Sequence, residues 1–241
     1  MKFIEKLNKV VEELKSNSEI YVAHYQVLPA DINAIDEVEK ELGYKLDNSI
    51  TDFYKECGGI QLFWISKSNE EFETKKEYFR TELEQRPLFD FQLFCGGAGS
   101  LHDGNSWDES ITEGIVLIPS IKTVFLDKNY IGEADEYADK SDIERYGIFE
   151  NISEIKVRKF EMFDLCVNVA FILDGKPNPA MLTAYDNYEY GDSAIIHFSD
   201  YLELILKSKG SVKRGHGFLI SSDFEHEKIT LQDVENLDLS L

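Results

Sequence analysis

Two short amphipathic helices, each opened by an aspartate, stand back to back and run into a β-rich apolar segment. This cassette constrains the fold more than any other stretch of the chain. Asp31 is placed as an N-cap, where its carboxylate accepts from the free amides of the first helical turn. Ile32, Ile35, Val38, Glu39 and Leu42 then follow helical spacing, and Gly43 supplies the left-handed stop. Asp47 caps the second helix, whose face is Ile50, Phe53, Tyr54 and Cys57 and whose end is set at Gly58-Gly59. Residues 60–65 read as a mostly buried strand.

The rest of the chain builds outward from that cassette. Residues 2–15 predict an amphipathic helix, with Phe3, Leu7, Val10 and Leu14 on one face and charges throughout, which rules out the unbroken apolar core of a signal peptide. A short strand is expected at 20–23. Residues 66–87 change in texture, with charges surrounding Phe72, Phe79 and Leu83, and predict a charged surface helix carried as an insertion. Strands are expected at 89–94, 115–118, 123–126 and 157–163. The apolar run 165–173 and residues 181–185, joined through the turn signal Asp174-Gly175, predict an antiparallel pair. A helix over 199–208 ends at Gly210, and Thr230 with Asp233 resembles a capping box. Helices, then strands, then a helix argue for an α+β fold, with a mainly antiparallel sheet flanked by N-terminal helices and a C-terminal helix. We expect one domain over 1–241, with a core at about 31–210, the insertion at 66–87 and an extension at 211–241.

Charge narrows the choice of partners. The 46 acidic against 25 basic side chains give a formal net charge of -21. Phosphate recognition needs a basic face, so nucleic acid is excluded as a partner, and an anionic membrane surface repels the chain. A basic protein is attracted and its association accelerated. Solubility alone also explains such acidity. Cys57, Cys95 and Cys166 are too few and too scattered for a disulfide framework, and no CxxC pair offers a zinc site. Reduced thiols, with no apolar run near the ~20 residues of a membrane span, place the expected protein in the cytoplasm.

The segment 35–46, followed by Ile50-Thr51-Asp52-Phe53-Tyr54-Lys55-Glu56-Cys57-Gly58-Gly59, resembles the signature of the SMI1/KNR4 (SUKH) superfamily. That signature is a helix ending in Glu-x-x-Leu-Gly, then Leu-Pro, then a helix closing in Asn-Gly before a strand. Here Asp47 stands for the proline and Cys57-Gly58-Gly59 for Asn-Gly. Phe163-Asp164 before an apolar strand and Phe198-Ser199-Asp200-Tyr201-Leu202 at the last helix fit the same family. The resemblance spans about 31–210 and is weaker at 66–87 and 133–145. It implies, for bacterial members, an immunity protein that binds and neutralises a cognate polymorphic toxin, commonly a nuclease or deaminase. For fungal relatives it implies an interaction hub in cell-wall regulation.

No constellation demands chemistry. Cys95-Gly96-Gly97-Ala98-Gly99-Ser100 lacks the lysine of a phosphate loop, and a dinucleotide fingerprint needs glycine where His102 stands. Asp103, Asn105, Trp107 and Glu109 alternate, but Asp108 and Gly114 occupy the calcium-loop positions that require glycine and glutamate. His24, His102, His197, His216 and His226 form no HxxxH pair, and no Gly-x-Ser-x-Gly elbow occurs. We therefore expect no catalytic residue, cofactor or metal.

For a partner surface the sequence offers Trp107 with Asp108 and Glu109, then Asp135 and Glu136, then Asp186, Tyr188, Glu189, Tyr190 and Asp192. Aromatic residues mixed with acids suit a protein interface, although solvated loops share that composition. The leading expectation is an immunity protein that covers the basic cleft of a toxin. The alternatives are a scaffold for an endogenous partner, and a hydrolase using scattered acids and His102.

Overall fold

A computed structural model describes residues 2–85, 113–128, 143–144, 146–147, 152–162, 167–174, 178–185, 194–211, 219 and 228–236. The helices among them are α1 (Phe3–Ser16), α2 (Ile32–Leu42), α3 (Asn48–Glu56), α4 (Phe72–Gln85), α5 (Ile121–Leu126), α6 (Phe198–Ser208) and α7 (Leu231–Asn236). The strands are β1 (Ile20–Leu28), β2 (Gly59–Ser66), β3 (Glu113–Ile118), β4 (Lys156–Met162), β5 (Val167–Leu173), β6 (Ala180–Tyr185), β7 (Ile195–His197) and β8 (Lys228–Ile229). They form two sheets, β1-β2-β3 and β4-β5-β6-β7-β8, antiparallel except for the β7–β8 pair. The expected α+β class and mainly antiparallel pairing hold.

The opening cassette folds as its capping residues dictate. Asp31 accepts from the Asn33 and Ala34 amides, and Gly43 closes α2 at a φ of 75°. Glu39 turns back at the helix end: it accepts from the Leu46 amide at 3.0 Å and pairs with Lys45. That bond gives the Glu-x-x-Leu-Gly pattern a physical reason, because the buried carboxylate fixes the path from α2 into α3. Asp47 accepts from Ser49 at the start of α3 and from the backbone amide of Asn178. Partial burial pushes its carboxyl up, yet these hydrogen bonds hold it below the ordinary value.

The glycine pair acts through proximity more than as a helix stop. Helix α3 ends at Glu56, with an extended Cys57 after it. Gly58 donates its amide to Leu28 O at 2.8 Å, and a Cβ there would sit 2.2 Å from Pro29 O. At Gly59, with φ of 154°, a Cβ would sit 2.8 Å from Ile118 O. Only glycine lets three backbone segments meet at this corner.

One core cluster draws on both sheets. Phe160 and Phe171 from the second sheet meet Phe198 of α6 and Phe53 of α3, with ring centroids 4.9 to 5.8 Å apart and mostly edge-to-face. Such contacts add about 0.5–1.5 kcal/mol each beyond burial. Strand β5 alternates accordingly: Val169 and Phe171 face this core, while Ala170 and Ile172 join a second cluster with Ile143, Ile155 and Leu182.

The sheets are joined by a buried carboxylate. β4 carries a bulge between Lys159 and Glu161, so strict alternation breaks there. Phe160 and Glu161 consequently both reach α6: the ring packs at 6.3 Å from Tyr201, and the Glu161 carboxylate accepts the Tyr201 hydroxyl. The other oxygen of Glu161 accepts the Leu117 amide on the edge of β3 at 3.2 Å. Two residues earlier the Ile115 amide donates to Gly210 O at 2.8 Å. The outer edge of β3 is thus closed by one side chain and by the end of α6. Trp64 locks the same corner, donating its indole N–H to Lys209 O at 2.7 Å over Gly114, where a Cβ would sit 2.0 Å from the indole nitrogen.

Some expectations need correction. Residues 123–126 are helical, not a strand: Ser120 caps α5 through the Thr123 amide, and Ile121, Val124 and Phe125 are buried at helical spacing. The short 20–23 strand extends through Leu28. The charged helix α4 exists but is not wholly superficial, since Lys75 is buried and paired with Glu113 at 2.8 Å and with Glu71. β7 and β8 were not anticipated. The expected strand 89–94 and the Phe163-Asp164 step lie outside the described residues.

Replacing Glu161 tests the joint. Glu161→Ala removes the acceptor of both the Leu117 amide and the Tyr201 hydroxyl and is expected to cost about 3–5 kcal/mol in urea denaturation. Tyr201→Phe is expected to cost about 1–2 kcal/mol. A loss below 1 kcal/mol for Glu161→Ala contradicts this role.

Candidate interaction surface

The one thiol and the two imidazoles within the described residues are each held by a hydrogen bond. The Cys57 thiol is buried and donates to Phe53 O at 3.8 Å, and burial pushes it up to about 12, far from a reactive thiolate. His24 donates from Nε2 to Gln61 Oε1 at 3.0 Å and lies 6.2 Å from the Phe63 ring. His197 donates from Nδ1 to Asn178 O at 2.7 Å, just before α6. Asn178 in turn accepts the Ser199 amide and so helps to cap that helix. Among the described residues, no three His, Cys, Asp or Glu side chains stand close enough to hold a metal ion. An open groove of about 490 Å³ runs along α1, lined among the described residues by Asn8, Lys9, Glu12, Glu13 and Ser16.

The residues that the sequence nominates for a partner surface (Trp107, Asp108, Glu109, Asp135, Glu136, Asp186, Tyr188, Glu189, Tyr190 and Asp192) all lie outside the described residues, as do Cys95, His102, His216 and His226. More than half of the excess negative charge falls outside them too: the described residues hold 28 of the 46 acids but 19 of the 25 bases. The scaffold itself is therefore nearer to balance than the whole chain. Its surface carboxylates are partly neutralised, as in Glu37 with Lys122, Glu203 with Lys6 and Glu77 with Arg80.

What the structure adds is an open sheet edge. β1 is the outer strand of the first sheet, and among the described residues no segment pairs with its outer side. Its direction of hydrogen bonding follows from the register. Ile115 and Leu117 point their amides away from β2, so Val116 and Ile118, opposite Leu62 and Ile60, point theirs toward it. Gln61 and Phe63 then face β1 and bond Gln26 and His24, which leaves Tyr25 and Val27 with amides and carbonyls directed outward. A bulge at Ala23 interrupts the ladder. The nine residues carry no Lys, Arg, Asp or Glu and are all half-buried. On one face Tyr25 donates to Asn8 of α1 at 2.7 Å; on the other Tyr21 meets Phe72 of α4 at 6.1 Å, with Lys76 over both rings. Sequence reasoning placed a short strand at 20–23 but neither its extension to Leu28 nor its position at the sheet edge, because burial on both faces erased the alternation over 24–28.

Comparison with known proteins gives one result: the family model described as SMI1 / KNR4 family (SUKH-1) matches residues 29–201. No curated protein and no solved structure matches.

His24 gives the fold a pH signature. Burial lowers its pKa below the ordinary 6.5, outweighing the hydrogen bond to Gln61. The unfolded chain therefore binds more protons than the native one near and below pH 6.5. Stability contributed by neutral His24 is complete above that pH and is lost as pH falls toward the native value. His24→Gln is expected to flatten the slope of unfolding free energy between pH 7 and 5, read from urea melts. An unchanged slope contradicts the assignment.

Proposed function

We propose that this chain, which belongs to the SMI1/KNR4 family (SUKH-1), acts as a non-catalytic cytoplasmic immunity protein that binds and neutralises a cognate toxin. The observation that carries the reading is the family match over residues 29–201, taken with a net charge of -21. The partner proposed is a basic protein, a nuclease or deaminase domain whose own substrate is anionic. An acidic protein seated over its cleft blocks that substrate by shape and by charge. No bond in the toxin has to be made or broken.

The proposed toxin-facing residues are those of the acidic and aromatic segments, with Trp107, Tyr188 and Tyr190 as anchors and Asp108, Glu109, Asp135, Glu136, Asp186, Glu189 and Asp192 supplying charge. The structural role of the described residues supports this division. Glu161, Glu39 and Asp47 hold the scaffold together, and more than half of the excess negative charge belongs to segments outside the described residues.

Co-expression tests the reading. Host cells producing the toxin domain encoded immediately upstream are expected to survive when this chain is present and to die when it is absent. Continued killing contradicts the proposal. If acids steer the encounter, raising salt from 50 to 500 mM is expected to slow association about tenfold or more while dissociation changes little. A salt-independent association rate counts against the electrostatic part.

A further inference from the structure

We propose that the outer edge of β1 is a docking site for an extended, basic segment of a partner protein, which adds to the first sheet as a fourth strand. This deepens the toxin-binding reading and rests on it for the identity of the partner. It does not rest on it for the chemistry of the edge.

Three observations carry the inference. First, the two edges of the sheet are treated differently. β3 is closed by Gly210 O and by the Glu161 carboxylate, which take the Ile115 and Leu117 amides. At β1 the outward row begins with the Ile20 amide, which is taken by Asn17 O at 3.1 Å, and then runs on through Tyr25 and Val27 with no such acceptor among the described residues. An uncovered row of this kind is a template for strand addition.

Second, the edge lacks the usual protection. Edge strands are commonly guarded by lysine or proline, or kept short. β1 is nine residues long, has no charged side chain, and meets its first proline at Pro29, after its end. The bulge at Ala23 is the one deterrent in the strand, and it leaves the 24–28 half regular. That half is anchored from beneath by the Tyr25–Asn8 hydrogen bond and by Gly58 donating to Leu28 O, so the edge is held in extended form before anything binds. A preformed edge spares the partner part of the ordering cost.

Third, charge selects the occupant. A second copy of the chain would bring another -21 against the first, which opposes pairing of two β1 edges. A segment with lysine or arginine at alternate positions is favoured. Exposed Glu19 lies directly before the strand, and exposed Asp31 lies three residues beyond its end. Main-chain bonds would supply affinity, and alternate cationic side chains selectivity.

Amide exchange read residue by residue by NMR tests this in the intact chain. The probe is a nine-residue peptide of alternating valine and lysine, with a valine–glutamate peptide as control. The lysine peptide is expected to slow exchange at the Tyr25 and Val27 amides at least tenfold, while the already bonded His24 and Gln26 amides change little. The glutamate peptide is expected to leave all four unchanged. Val27→Pro, which deletes one outward donor without touching the ladder to β2, is expected to weaken the lysine peptide at least tenfold; Val27→Ile is expected to bind normally. Should the proline variant fail to fold, the exchange pattern of the unaltered chain decides. Protection elsewhere overturns the proposal. So does equal binding of both peptides, or protection at Tyr25 and Val27 that rises with chain concentration alone, which marks self-pairing. Neutralisation of the toxin without protection of these amides removes the edge proposal and leaves the immunity reading standing. Peptide addition at β1 with no rescue from the toxin does the reverse.

Discussion

A buried carboxylate ties the second sheet to the edge of the first. Glu161 reaches from a bulge in β4 to the edge of β3 and to Tyr201 of α6, so that one side chain stands where a neighbouring strand would otherwise supply a carbonyl. A buried charge is costly unless its hydrogen bonds are in place. Here they come from an amide and a hydroxyl that themselves need acceptors, so each group answers the other's requirement. The arrangement fixes more than stability. It sets the distance between sheets that the Phe53, Phe160, Phe171 and Phe198 cluster fills, and it brings the end of α6 over β3, where Trp64 and Gly210 close the corner.

From that joint the asymmetry of the first sheet follows. With β3 sealed, its one remaining edge is β1. The same bonds that close β3 therefore leave β1 as the first sheet's outward backbone row among the described residues. Function, on this account, is a matter of what is left over. Cys57 is sealed by burial, His24 and His197 are tied to an amide oxygen and a backbone carbonyl, and Glu161, Glu39 and Asp47 are acceptors in the joints of the fold. More than half of the excess negative charge, and the aromatic residues nominated for recognition, belong to segments outside the described residues.

The parts that were legible in the sequence are those in which local chemistry decides the outcome. Asp31, Gly43, Asp47 and the Thr230–Asp233 pair act within one turn of their position, and each behaves as its residue type requires. The antiparallel β5–β6 pair showed itself through long apolar runs. Residues 123–126 misled because Thr123, Val124 and Phe125 favour strands by type, while the Ser120 cap and burial of one face favoured a helix. Lys75 could not be read as buried, since its partner Glu113 is 38 residues away. Glu161 was invisible for a related reason: its importance comes from a bulge and from two contacts made 40 and 44 residues distant. The interface residues rested on composition alone, and no local rule could position them.

The central claim is that the chain disables its partner by occupying it. The direct measurement is a titration of toxin activity with increasing amounts of the purified chain, followed by separation under denaturing conditions and mass analysis of the toxin. Occupancy predicts activity falling linearly to zero at a fixed molar ratio, with the toxin recovered at its original mass. Inactivation by a small fraction of an equivalent, with the toxin recovered cleaved or chemically altered, would contradict it.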